Sequence, residues 1–359
     1  MKVALITRST LYSVPGGDTV QIIETAKQLN AFGISAEIKL TNELLDYQQY
    51  HVLHFFNITR PADIIHHIKK SKTPFVVSTN FVDYSTYDKH HRKGLSGFIL
   101  KMLSSDKIEY AKTIMRCILG KDKLPSISYI QRGQRKCITE IITQSKLLLP
   151  NSHSEYEAIA NTYHLNPKYR TIPNGINTEI FNIDNFGEKD PFMIVCAARI
   201  EGIKNQLNLI KALNNTQYQL FIIGKPAPNQ LGYYKECKKI AASNISFIDY
   251  LPQHELTQYY KKAKVHILPS WFETTGLSSL EAAAMGCNIV ITDKGYTREY
   301  FGDDAFYCDP ESPKSIFDAV VSASKLPYKD KLRKRIFSDY TWEQASLQTI
   351  KAYNLILKN

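Results

Sequence analysis

Residues 2–33 read KVALITRSTLYSVPGGDTVQIIETAKQLNAFG, and this stretch decides the class of fold. Lys2 to Thr7 is a short apolar run of strand length. Pro15-Gly16-Gly17 is a turn, and the segment after it places Val20, Ile23, Ala26 and Leu29 at helical spacing before stopping at Gly33. A buried strand, a glycine turn and a helix form the opening unit of a doubly wound domain. Strand-like runs recur at Ala36–Leu40, His51–Phe56, Pro74–Thr79 and Lys146–Pro150, with helical stretches between most of them. That alternation predicts a parallel sheet covered by helices on both faces.

The pattern then starts again. Beyond Thr171–Gly175 and the polar stretch Asn182–Asp190, strand-like runs appear at Met193–Ala198, Tyr218–Ile223, Ile245–Ile248, Val265–Leu268 and Asn288–Ile291. The expectation is α/β, two Rossmann-like doubly wound domains facing a cleft. The first spans 1–175, with a terminal helix 341–359 packing back on it, and the second spans 176–340. Ligands of such sheets bind outside the carboxyl ends of the strands, so function is sought in the loops there.

The 359 residues, 43% hydrophobic and 22% charged, exclude disordered, collagen-like and disulfide-stapled classes. No run approaches the roughly 18 to 20 apolar residues of a membrane span, and the N-terminus does not read as a signal peptide. Six scattered cysteines (Cys117, Cys137, Cys196, Cys237, Cys287, Cys308) show neither a Cys-x-x-Cys pair nor metal spacing. A reducing, cytoplasmic setting is expected, with no metal and no cofactor. The net charge is +11, and Lys69–Lys136 holds 15 Lys/Arg against 5 Asp/Glu. Within it, Leu95–Leu119 sets Phe98, Ile99, Met102, Leu103, Ile114, Met115, Ile118 and Leu119 against Lys101, Lys107, Lys112 and Arg116. Such a helix packs on a core or lies on an anionic bilayer. Peripheral association with the inner face of a membrane through residues 89–136 is therefore an expectation.

The most informative stretch for chemistry is Pro269–Gly286, PSWFETTGLSSLEAAAMG. It reads as Glu273 at a strand end, Thr274-Thr275-Gly276 at a turn, and Glu281 two helical turns further on. A helix start at Gly276 and Leu277 favours an anion or a ring of hydroxyls. Upstream, Ala198–Asn205 places Arg199 and Lys204 in one strand-to-helix loop, a planar fork and a compact cation suited to a diphosphate.

Together these residues resemble the retaining glycosyltransferases of family 4, which have the two-domain GT-B fold. The likeness runs through Gly16-Gly17, Pro150-Asn151-Ser152, Ile172–Asn177, Arg199 with Lys204-Asn205, Ile222-Ile223-Gly224, and Glu273-x7-Glu281 followed by Ala282–Gly286. The resemblance implies a nucleotide-diphospho-sugar donor held mainly by the second domain. Arg199 and Lys204 would bind the diphosphate, Glu281 the ribose, and Glu273 the sugar hydroxyls near the anomeric carbon. Gly276 and Leu277 would lie against sugar and phosphate, with Thr275, Gly224 and Asn205 beside them. Gly16 and Gly17 would let backbone approach the phosphate or the acceptor. The acceptor would be a saccharide or a lipid-linked saccharide, in surface polysaccharide or lipopolysaccharide assembly.

One position departs from the family. A histidine often follows the fourth strand, whereas this chain has Asn80, which can hydrogen-bond a hydroxyl but cannot shuttle a proton at neutral pH. Asp83, His90 and His91 are nearby substitutes. Trp271 reads equally as a wall of the sugar site or as core, and Gly224-Lys225-Pro226 as a nucleotide flank or a plain turn. The rival readings are a sugar-nucleotide epimerase of the same fold and a non-catalytic sugar-nucleotide or nucleic-acid binding protein. Nucleic acid is not expected, because aromatics do not interleave with the basic residues.

Overall fold

The computed structural model describes residues 1–82, 104–118, 126–183 and 187–358. The chain divides into two compact units, Met1–Pro173 with Trp342–Asn359, and Asn174–Thr341.

The first unit is built on β1 (Lys2–Thr7), β2 (Ser35–Leu40), β3 (Val52–Phe56), β4 (Phe75–Ser78) and β5 (Leu147–Leu149). They form one parallel sheet in the order β2-β1-β3-β4-β5. β3, β4 and β5 are buried throughout, which a sheet covered on both faces requires of its inner strands. The helices are α1 (Gly17–Ala31), α2 (Ala62–Lys70), α3 (Ser105–Ile118), α4 (Ile127–Gln144) and α5 (His153–Tyr163). In α1 the inward face is Gln21, Ile22, Thr25, Ala26 and Leu29. Ile23 is exposed, contrary to the face expected from periodicity. The rotation follows from polar Gln21 and Thr25, which turn inward to be buried.

The second unit carries β6 (Asp190–Ala197), β7 (Gln219–Ile223), β8 (Ile245–Ile248), β9 (Ala263–Leu268), β10 (Asn288–Thr292) and β11 (Phe306–Cys308). All pair in parallel, in the order β11-β10-β9-β6-β7-β8. Its helices are α6 (Gln206–Leu213), α7 (Leu231–Ile240), α8 (Gln253–Lys262), α9 (Leu277–Ala284), α10 (Thr297–Phe301), α11 (Pro313–Lys325) and α12 (Asp330–Asp339). β11 escapes a reading by pattern because three residues carry no periodicity.

After Thr341 the chain returns to the first unit as α13 (Trp342–Leu357), which packs on α1. Trp342, Ala345, Thr349, Ala352, Tyr353 and Ile356 form its buried face. His54 of β3 anchors it: Nδ1 shares a hydrogen bond with the Tyr353 hydroxyl at 2.7 Å, and Nε2 one with the Ser78 hydroxyl at 2.8 Å. Burial lowers the His54 pKa to about 3, so the ring is neutral and uses one nitrogen as donor and one as acceptor.

The long basic helix expected over Leu95–Leu119 is, among the described residues, α3 alone. Asp83, His90, His91 and the stretches 89–103 and 119–125 lie outside the described residues. No helix of the described residues is long and apolar enough to cross a membrane.

Candidate functional site

In the second unit the chain leaves β6 into a loop that turns twice. Gly202–Lys204 makes a short 3-10 turn, and Asn205 takes a left-handed φ of 60° before α6 begins. Gln206 of α6 reaches back, its Nε2 donating to the Arg199 carbonyl at 2.9 Å. Asn205 is buried, and its Nδ2 donates to the carbonyls of Pro269 (3.0 Å) and Pro310 (2.7 Å). Its amide N–H groups are thus spent on bracing three loops.

Trp271 N–H donates to the Ile203 carbonyl at 2.9 Å, tying this turn to the loop after β9. Lys204 Nζ thereby meets Glu273 Oε1 at 2.5 Å, and the Ser270 hydroxyl donates to the same oxygen at 2.7 Å. Glu273 is not at a strand end, as its position after the apolar run suggested. β9 stops at Leu268, and Glu273 lies five residues on, bridged to Gly295 in the loop after β10. Glu273 N–H donates to the Lys294 carbonyl (3.2 Å), and its own carbonyl accepts from Tyr296 N–H (2.9 Å). Gly295 has φ of +101°, and a Cβ there would lie 2.1 Å from the Glu273 carbonyl oxygen. This glycine was missed from sequence. Its only signal is a Lys-Gly-Tyr step after a strand, which reads as an ordinary turn.

Gly276, at φ +74°, caps α9, and its carbonyl accepts from Ser279 and Leu280 N–H. A Cβ there would meet Ile291 Cδ1 at 2.8 Å. Thr275 is buried, with its hydroxyl accepting from Asn174 Nδ2 at 3.1 Å. Leu277 opens the helix, and Glu281 lies on its buried face. Gln253 at the start of α8 donates from Nε2 to Glu281 Oε1 at 2.9 Å. Burial raises the Glu281 pKa from 4.5 to about 8, with the Gln253 bond opposing the shift. Gln253 was also missed, since nothing in sequence links it to a carboxylate on another helix.

Arg199 Nη2 pairs with Glu201 Oε1 at 2.8 Å. Gly224 lies directly behind: its φ is +147°, and a Cβ would come within 2.2 Å of the Ala198 carbonyl. Glycine is required there by backbone approach, whatever binds in front. Trp271 is mostly buried.

In the first unit, Gly16 caps α1, its N–H donating to the Thr19 hydroxyl at 3.0 Å, and Gly17 is the first helical residue. Arg8 holds this turn with a two-pronged contact to Asp18 (2.6 and 3.0 Å) and bonds to the Thr10 and Val14 carbonyls. Asn80, two residues beyond β4 and at φ +43°, sits in a closed ring of amides. Asn80 Nδ2 donates to Gln21 Oε1 (2.8 Å), Gln21 Nε2 to Asn151 Oδ1 (3.0 Å), and Asn151 Nδ2 to Asn80 Oδ1 (2.9 Å). Fully buried Glu155 fixes the same loops, accepting from Thr79 Oγ1, Phe81 N–H and Asn151 N–H at 2.5 to 2.8 Å. The ring leaves Asn80 able to offer one further N–H and one lone pair.

The family model described as glycosyl transferases group 1 matches residues 177–338, almost all of the second unit. The chain has the GT-B fold, and its second unit is similar to the group 1 glycosyltransferases. A relative in Campylobacter jejuni, N-acetylgalactosamine-N,N'-diacetylbacillosaminyl-diphospho-undecaprenol 4-alpha-N-acetylgalactosaminyltransferase, is 23% identical over 348 residues, covering 90% of each chain. A probable sucrose-phosphate synthase of Thermosipho melanesiensis is 25% identical, over 84% of this chain and 78% of that one. Among solved structures, sucrose-phosphate synthase of Thermosynechococcus elongatus superimposes with a TM-score of 0.73 at 15% identity, covering 100% and 99% of the two chains. Anabaena HepE in complex with UDP-glucose gives 0.69 at 13%, covering 99% and 100%. The structural likenesses extend the GT-B assignment to both units, while the group 1 match is confined to the second.

Proposed function

We propose that the protein is a retaining glycosyltransferase that moves a sugar from a nucleotide-diphospho-sugar to a saccharide or lipid-linked saccharide. The observation that carries this reading is the meeting of the β6–α6 and β9–α9 loops, which sets Lys204 against Glu273 at the entrance to α9. In it Arg199 and Lys204 bind the diphosphate and neutralise the charge that grows as the bond from the anomeric carbon to the phosphate oxygen breaks, the kind of electrostatic contribution that commonly dominates catalysis. The acceptor oxygen attacks on the same face, and its proton passes to the leaving phosphate. Glu273 contacts sugar hydroxyls beside the anomeric carbon, and Glu281 takes the ribose hydroxyls. Gly276 and Leu277 lie against sugar and phosphate, while Gly16, Gly17 and Asn80 belong to the acceptor side. A lipid-diphosphate acceptor is named for the Campylobacter relative, and UDP-glucose is bound by the Anabaena neighbour, which supports these two classes of ligand.

A peripheral membrane contact belongs to the same reading. Met115, Ile118, Ile127 and Ile130 are exposed at 40% or more on α3 and α4, among Lys112, Arg116, Arg132 and Lys136. Exposed apolar side chains within a basic surface suit an anionic bilayer. Flotation with phosphatidylglycerol vesicles, and not with phosphatidylcholine vesicles, is expected; equal behaviour with both removes this part.

The test of the donor reading is calorimetric titration with UDP-, GDP-, ADP-, CDP- and dTDP-sugars. Saturable binding of one base, weakened in Arg199→Ala, is expected. Binding of none removes the donor assignment.

A further inference from the structure

Both cations of the proposed clamp already hold a carboxylate. Lys204 is paired with Glu273, which has a role of its own in the reading above. Arg199 is paired with Glu201, which has none. Glu201 has extended backbone at φ −156°, so residues 199 and 201, two apart along an extended segment, project to the same side. Its main-chain carbonyl accepts from Lys204 N–H at 2.9 Å, which fixes the Glu201 backbone in the same turn that carries the second cation. The Arg199 side chain is 40% exposed and that of Glu201 15%. The pair is therefore open enough for a ligand to reach the guanidinium and weak enough to be exchanged.

Resting on the donor reading above, we propose that Glu201 is a resident counter-ion of the donor site, an affinity-setting residue that the diphosphate must displace from Arg199. A guanidinium offers its planar fork to one oxyanion pair at a time on a given edge, so carboxylate and phosphate compete for the edge that Nη2 presents. Without ligand, Arg199–Glu201 and Lys204–Glu273 are each charge-balanced, and the loop is not a standing positive field. An incoming diphosphate frees the Glu201 carboxylate to water. A departing nucleoside diphosphate is replaced by it, which limits how tightly the product stays bound.

The experiment uses the full chain and inorganic pyrophosphate, titrated calorimetrically at low salt. Glu201→Gln keeps the size of the side chain and removes the competing charge. It is expected to bind pyrophosphate about two- to fivefold tighter than wild type, the gain expected for lifting one partly exposed ion pair. Glu236→Gln, on exposed α7 of the same unit, removes the same charge from a residue that does not pair with Arg199 and is expected to bind pyrophosphate as wild type does. Equal or weaker binding in Glu201→Gln overturns the proposal, as does an equal gain in Glu236→Gln, which would mark a bulk charge effect. Circular dichroism confirms that both variants are folded. If neither wild type nor Glu201→Gln binds pyrophosphate, the donor reading itself falls. If both bind it with the same affinity, the donor reading stands and only the role of Glu201 is lost.

Discussion

Glu281 supplies the prediction with the clearest magnitude. Its carboxyl is buried on α9 and holds its proton up to about pH 8, against an ordinary 4.5. The unfolded chain releases that proton above pH 4.5, so between the two values folding takes up a proton. Stability from this group is therefore unaffected below about pH 4.5 and falls as pH rises towards 8, by about 1.4 kcal/mol for each pH unit in the middle of the window. From pH 5 to pH 7.5 the loss comes to about 3 kcal/mol once the ends of both titrations are included. Glu281→Gln cannot ionise and keeps an oxygen that can accept from Gln253. The variant should therefore equal or fall slightly below wild type at pH 5 and exceed it by about 3 kcal/mol more at pH 7.5. For a unit the size of Asn174–Thr341, that is a relative gain of roughly 6 to 12 °C in the melting temperature. Scanning calorimetry of both proteins at the two pH values measures it, and subtraction cancels every other titrating group. Parallel profiles would mean that Glu281 ionises as it does in water, and the argument from its burial would fail.

Arg199→Ala should weaken nucleoside diphosphate binding at least tenfold, read by titration calorimetry, because it removes one of two cations from the phosphates. Glu273→Gln should retain donor binding and lower the transfer rate by a hundredfold or more, and a wild-type rate would remove Glu273 from the reaction centre. Gly295→Ala should cost about 1–3 kcal/mol for the left-handed backbone alone, with more for the 2.1 Å contact, and should depress transfer through Glu273; thermal melting and a rate assay check both. Tyr353→Phe should leave His54 with a buried nitrogen unmatched and lower stability by about 1–3 kcal/mol in urea unfolding, with donor affinity unchanged.

The parallel sheets were legible because strands covered on both faces carry short, nearly continuous apolar runs, such as Val3–Ile6 in β1 and Met193–Ala197 in β6. Helix faces were less so. In α1 periodicity alone pointed to Ile23, yet Gln21 turns inward because Asn80 and Asn151 satisfy its amide, and that compensation lies 59 and 130 residues away. The site divides in the same manner. Arg199, Lys204 and Glu273 stand out as charged residues in strand-to-helix loops, and Glu281 as the charged residue of the helix that follows, but Gln253, Gly295 and Glu201 carry no local mark. Asn205 and Gly224 drew attention by their positions, and the structure spends the N–H groups of one on carbonyls and places the other against backbone.

The order of strands and helices follows from residue chemistry taken a few positions at a time, because burial on one face imposes a period that the chain itself displays. Which charge faces which does not. The partner of Lys204 is 69 residues away, brought near because β6 and β9 lie side by side in the sheet and open their loops at the same end, and the partner of Glu281 is 28 residues away on a separate helix. The same is true of proton affinity: the sequence specifies a glutamate at 281, and burial against α8 decides that it keeps its proton at neutral pH.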